Sequence, residues 1–105
     1  MKITEFLKDN IICLDGSMGT LLQKRGLAPG ELPERWNLAR PSDIIDIHTA
    51  YFNAGSHVVN TNTFGANCLK FSEQELFEII KSAVENARAA QKKSTSAQPK
   101  WVALP

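Results

Sequence analysis

The sequence predicts an α/β chain whose elements run β–α–β–α–β around a parallel sheet. Three observations carry that prediction. Apolar runs at residues 11–14 and 58–59 stop abruptly in polar or glycine residues, as strands buried on both faces do. Segments between and after them place apolar residues three and four apart, the spacing of one helical face. Strands alternating with helices in this way join in parallel through right-handed crossovers.

Each element has its own local reason. A short helix is predicted over residues 4–9, then a strand from Ile11 to Leu14 that ends at Asp15-Gly16. Residues 18–24 form a second short helix, stopped at Gly26. Residues 27–40 hold Pro29, Gly30 and Pro33 and are predicted as a long loop. A helix begins at Pro41 or Ser42, with Ile44, Ile45, His48, Tyr51 and Phe52 on its apolar face, and Gly55 closes it. Residues 57–60 are the second strand. Ser72 opens the longest helix, where Glu75 completes a capping box and Leu76, Ile79, Ile80, Ala83, Val84 and Ala87 form the buried stripe. Residues 92–100 are a polar loop containing Pro99, and a third strand starts at Trp101. Three strands and two covering helices leave both sheet edges open. The expectation is therefore the opening piece of a larger domain.

Composition excludes several functions. The 105 residues suit one small domain, and a net charge of +1 leaves no basic surplus for nucleic acid. The N-terminus lacks the apolar core of a signal peptide, and no apolar run reaches the roughly 20 residues of a membrane span. A cytoplasmic protein with no membrane partner is expected. Cys13 and Cys68 are too few and too far apart for a disulfide framework or a zinc knuckle. Cys13 reads as a small buried hydrophobe, and Cys68 as filler beside a polar strand end.

Ligands of parallel α/β folds gather at the carboxyl ends of strands. That places residues 15–20 beside residues 61–67. Asp15 offers a carboxylate to an ammonium group, and the neighbouring glycines let a ligand approach the backbone. Thr61, Asn62 and Thr63 offer neutral hydrogen bonds to a carboxylate or amide. Together they suit a zwitterion such as an amino acid. Asp-Gly is equally a common turn pair. The segment Gly16–Gly19 lacks the spacing of a phosphate loop. His48 is expected to be a satisfied, partly buried histidine, His57 has no evident metal partners, Trp36 is placed to lid a pocket, and Trp101 is placed to pack.

At these residues the chain resembles a known family. LDGSMGTLLQKRGL followed by PERWNLARPSDIIDIHTAYFNAGSHVVNTNTFGAN is similar to the start of the homocysteine S-methyltransferase family. The likeness is nearer to the homocysteine-binding module of its cobalamin-dependent methionine synthase branch, and it spans nearly all of residues 11–90. The resemblance implies that residues 1–105 are the N-terminal portion of a homocysteine-binding domain, the incomplete start of a (β/α)8 TIM barrel of about 300 residues. It implies transfer of a methyl group to the homocysteine thiolate to give methionine. Asp15 and Gly16 then meet the amino-acid end of the substrate, and Thr61, Asn62, Thr63 and Phe64 line the same wall.

The resemblance also implies zinc, held by three cysteine thiolates from the second half of the barrel. Neither Cys13 nor Cys68 matches one of them. Methyltetrahydrofolate and cobalamin belong to other modules, so the implied partners are the remaining barrel and those modules. No catalytic or metal residue is assigned within this chain, which is expected to be inactive alone. Two alternatives stand beside this reading. One is a free-standing α/β module that binds an amino acid without catalysis; the other is an inert piece whose exposed apolar surface drives aggregation.

Overall fold

The structure, a computed structural model, describes residues 1–105. Five α-helices occur: α1 (Ile3–Phe6), α2 (Gly19–Lys24), α3 (Trp36–Ala39), α4 (Pro41–Asn53) and α5 (Glu73–Lys93), with a 3-10 turn at Pro33–Arg35 leading into α3. Two strands, β1 (Val58–Asn60) and β2 (Trp101–Ala103), pair in parallel with Val59 opposite Val102. The first apolar run reaches the sheet only as a single parallel bridge, Leu14 to Val58. Backbone bonds continue it on both sides: the His57 N–H donates to Cys13 O at 2.8 Å and the Asp15 N–H to Val58 O at 3.0 Å.

The expected β–α–β–α–β order is thus present in reduced form. One expectation about it is overturned. Ile11 and Leu14 are exposed, and so is Cys13, which is not a buried hydrophobe. Their run has a neighbour on one side only, so nothing covers the apolar side chains that suggested burial on both faces.

The two long helices follow their end signals. At α4, Pro41 occupies the first turn, where its missing N–H costs nothing. The helix closes on Gly55, whose φ of +112° lies in the left-handed region. The Gly55 N–H donates to Phe52 O and the Ser56 N–H to Tyr51 O, both at 3.0 Å, satisfying two end carbonyls in a Schellman motif. At α5, the Ser72 hydroxyl accepts from the Glu75 N–H at 3.2 Å. Glu75 does not complete the capping box; its carboxylate meets Arg35 at 3.0 and 3.3 Å. Residues 92 and 93 belong to α5, so the polar loop is shorter than its sequence suggests.

Helices α4 and α5 pack side by side over the strands. One core cluster joins Leu22, Leu27, Trp36, Ile44 and Ile47, and a second joins Phe52, Val59, Ala87 and Ala90. Trp36 is therefore a core residue at 2% exposure and not a lid. Its indole N–H donates to Glu31 at 3.0 Å, and Arg40 stacks 4.2 Å from its ring centroid. At the amino ends of the strands, Phe6 packs edge-on against His57 and Trp101. His57 Nδ1 accepts from the Cys13 N–H at 3.0 Å, which ties that histidine to the end opposite the polar strand tips.

Candidate functional site

The carboxyl ends of the strands open onto a cleft of about 490 Å³. Three segments wall it: Asp15, Gly16, Met18 and Gly19 after the first run; Asn60, Thr61, Asn62 and Phe64 after β1; and Pro33 with Glu34 from the 3-10 turn. Pro105 lies at its edge. Five of the six residues expected from sequence line this cleft.

Asp15 is held by a single residue. The Asn60 backbone N–H donates to one carboxylate oxygen at 3.1 Å and the Asn60 amide donates to the other at 2.9 Å. This fixes the carboxylate plane at the end of β1 and leaves each oxygen able to accept again. Gly16 sits under Tyr51 of α4. An added Cβ there would lie 3.1 Å from the Tyr51 hydroxyl, which itself donates to Ser17 O at 2.6 Å. Tyr51 thereby fastens the loop that presents Asp15. Burial, reinforced by the charge of Asp15, raises the Tyr51 pKa, so its hydroxyl stays protonated and donating.

The polar strand end divides into contacts and supports. The Thr61 and Thr63 hydroxyls meet at 2.9 Å, and only Thr61 lines the cleft; Thr63 backs it from behind. The Asn62 amide donates to Pro33 O at 2.9 Å, and Asn62 O accepts from the Asn37 amide at 2.8 Å. Asn37 also donates to Glu34 O at 2.9 Å, while Asn86 of α5 donates to Asn37 O at 3.0 Å. This buried amide network locks the 3-10 turn to the strand end. Phe64 stands almost fully exposed at the mouth, at 97%.

Sequence reasoning missed Asn60, Glu34 and Asn37. Asn60 is the last residue of the strand read over residues 57–60, one position before Thr61 and the polar run at 61–67. Glu34 and Asn37 came from the segment read as loop, where no periodicity marks them. His48 also departs from expectation: it is fully buried and both ring nitrogens lack a partner.

The fit of zinc can be tested on these residues. Cys13 and Cys68 are both exposed and free, and neither lines the cleft. No three His, Cys, Asp or Glu side chains are grouped to hold a metal. The residues present do not fit a three-thiolate zinc site. No helix is long and apolar enough to cross a membrane.

Comparisons with known proteins agree with this geometry. The chain is 30% identical over 93 residues to methionine synthase of Mycobacterium tuberculosis and 33% identical over 85 residues to that of Mycobacterium leprae. These stretches cover 83% and 75% of this chain but only 8% and 7% of those enzymes. In structure it is similar to the homocysteine methyltransferase MmuM from Escherichia coli in its oxidized form, with a TM-score of 0.82 and 25% identity. The metallated form of that enzyme gives a TM-score of 0.79. The oxidized form is matched over 96% of this chain and 39% of that chain. Residues 12–105 match the family model for homocysteine S-methyltransferase, and the chain belongs to that family.

Proposed function

We propose that this chain forms the homocysteine-binding wall of a (β/α)8-barrel methyltransferase of the methionine synthase type. The observation that carries the proposal is Asp15, oriented by both amide groups of Asn60 at the mouth of a polar cleft. In this reading Asp15 takes the substrate's ammonium group, and Gly16 lets the substrate backbone approach. Thr61 and Asn62 serve its carboxylate end, with Thr63 positioning Thr61 and Phe64 covering the carbon chain. Family membership supports homocysteine as the amino acid. The remaining barrel and the modules carrying methyltetrahydrofolate and cobalamin are the proposed partners, and zinc belongs to cysteines these residues do not include.

What residues 1–105 contribute is binding and orientation; no step at the sulfur is assigned to them. Calorimetric titration of the chain with L-homocysteine under reducing conditions tests the site. Asp15→Asn removes the charge opposite the ammonium and is expected to weaken binding roughly tenfold to a hundredfold, the worth of one charge-assisted hydrogen bond. Unchanged affinity in a folded Asp15→Asn chain would sink the assignment. Catalysis is tested separately. Given homocysteine and methylcobalamin, betaine or a methylsulfonium donor, the chain alone should form no methionine beyond the protein-free rate; methionine detected by mass spectrometry above that rate would contradict the reading.

A further inference from the structure

We propose that Glu34 is a specificity-determining residue of the cleft, a second carboxylate that receives the α-ammonium group of the ligand together with Asp15. The proposal rests on reading the cleft as an amino-acid site. Glu34 is only 5% exposed, yet it is one of the residues lining the cleft, and its carboxylate accepts a hydrogen bond from the Gly65 N–H at 3.1 Å. No cation of the protein pairs with it. Its neighbour Arg35 turns away to Glu75, and the remaining ion pairs join Arg25, Arg40, Lys81 and Lys93 to other carboxylates. Burying a carboxylate is costly unless a charge or several donors compensate. One neutral N–H compensates in part.

Among residues 1–105 the cleft lining contains no lysine, arginine or histidine, and a ligand's ammonium group supplies the positive charge that these residues do not. The position is also built with care. The backbone of the turn is held on both sides of the side chain, at Pro33 O by Asn62 and at Glu34 O by Asn37. A Cβ at residue 65 would stand 3.1 Å from both Glu34 oxygens, so glycine there is what admits the carboxylate. A cleft with two carboxylates and no cation selects strongly for an amine and only weakly for the ligand's carboxyl group, which neutral donors must hold.

The competing role is purely structural: Glu34 fastens the loop through Gly65. Glu34→Gln separates the two roles, because the amide oxygen still accepts from Gly65 while the charge is gone. Binding of L-homocysteine and of 4-mercaptobutanoic acid, which lacks the amine, is measured for the wild-type chain and E34Q by ligand-observed NMR. The expected result is about tenfold weaker homocysteine binding by E34Q, with the amine-free acid unchanged within about twofold. Equal weakening of both, or no change in either, overturns the role of Glu34 and leaves the amino-acid site standing. A wild-type chain that binds no homocysteine removes that site and this proposal together. Should E34Q fail to fold, the carbon-13 signal of the Glu34 carboxyl group in the wild-type chain decides. It should move on adding homocysteine and stay still with 4-mercaptobutanoic acid; a still signal with homocysteine bound overturns the proposal.

Discussion

Phe52→Ala should destabilise the chain by about 3–5 kcal/mol, the usual cost of emptying a fully buried phenylalanine site. Phe52 has no exposed surface and joins three elements, packing from the end of α4 against Val59 of β1 and against Ala87 and Ala90 of α5. Its partners on α5 are alanines, which have no rotamers with which to refill the space, so the cavity persists. Only 23 of the 105 residues are buried, which puts the whole chain at the low end of domain stability, nearer 5 than 15 kcal/mol. The variant is therefore expected to be only marginally folded at room temperature and to melt more than about 12 °C lower. Thermal unfolding followed by circular dichroism reads this directly. The hydrogen bonds that Ser96 and Gln98 donate to the Phe52 carbonyl do not involve the side chain and survive the change. A shift of less than about 5 °C would show that the second core cluster does not hold α4 and α5 together.

The parts of the fold that were legible in the sequence are those whose ends carry a backbone signal. Pro41 and Gly55 bracket α4, and Ser72 starts α5, because each residue solves a specific problem of unpaired groups at a helix end. The buried stripe of α5 was legible only in part. Ile79, Ala83 and Ala87 are buried, but Leu76, Ile80 and Val84 are half-exposed, and the polar Asn86 takes a core position because the Asn37 carbonyl needs a donor. The strand at residues 11–14 was misjudged for another reason. Hydrophobicity reports what a side chain prefers, not whether a neighbour exists to cover it. The 3-10 turn and α3 were invisible because seven residues show no helical period, and the prolines around them argued for loop.

The site divides along the same line. Asp15, Gly16, Thr61 and Asn62 could be placed because parallel strands bring their carboxyl ends together whatever the details of packing, and Phe64 was placed by the family resemblance. Glu34 and Asn37 could not, since their roles rest on contacts with Gly65 and Asn62, far along the chain. The order of the pocket is thus local, and its wall chemistry is not.

Acid should destabilise this chain through His48 before its carboxylates are protonated. Burial pushes His48 from 6.5 down to about 4, against the opposing pull of Asp15. The folded chain therefore keeps the imidazole neutral where the unfolded chain already protonates it. The contribution is fully present above about pH 6.5, declines as pH falls toward 4, and by about pH 4.5 amounts to a loss of roughly 2–3 kcal/mol. Asp43, held below its ordinary value by the hydrogen bond from Arg25, acts with opposite ionisation in a lower window, losing its contribution only as pH falls below the usual carboxylate range. The two groups can be separated with His48→Leu, which keeps an apolar side chain of similar size among the same neighbours. Both ring nitrogens are buried without partners, so leucine also removes a desolvation cost. Urea denaturation near pH 7.5 should show the variant more stable than wild type by about 1–3 kcal/mol. Between about pH 6.5 and 4.5 the wild type should lose stability steeply while the variant stays nearly flat. Parallel curves for the two proteins over that interval would mean that the imidazole is not the titrating group, and that a polar partner reaches His48 after all.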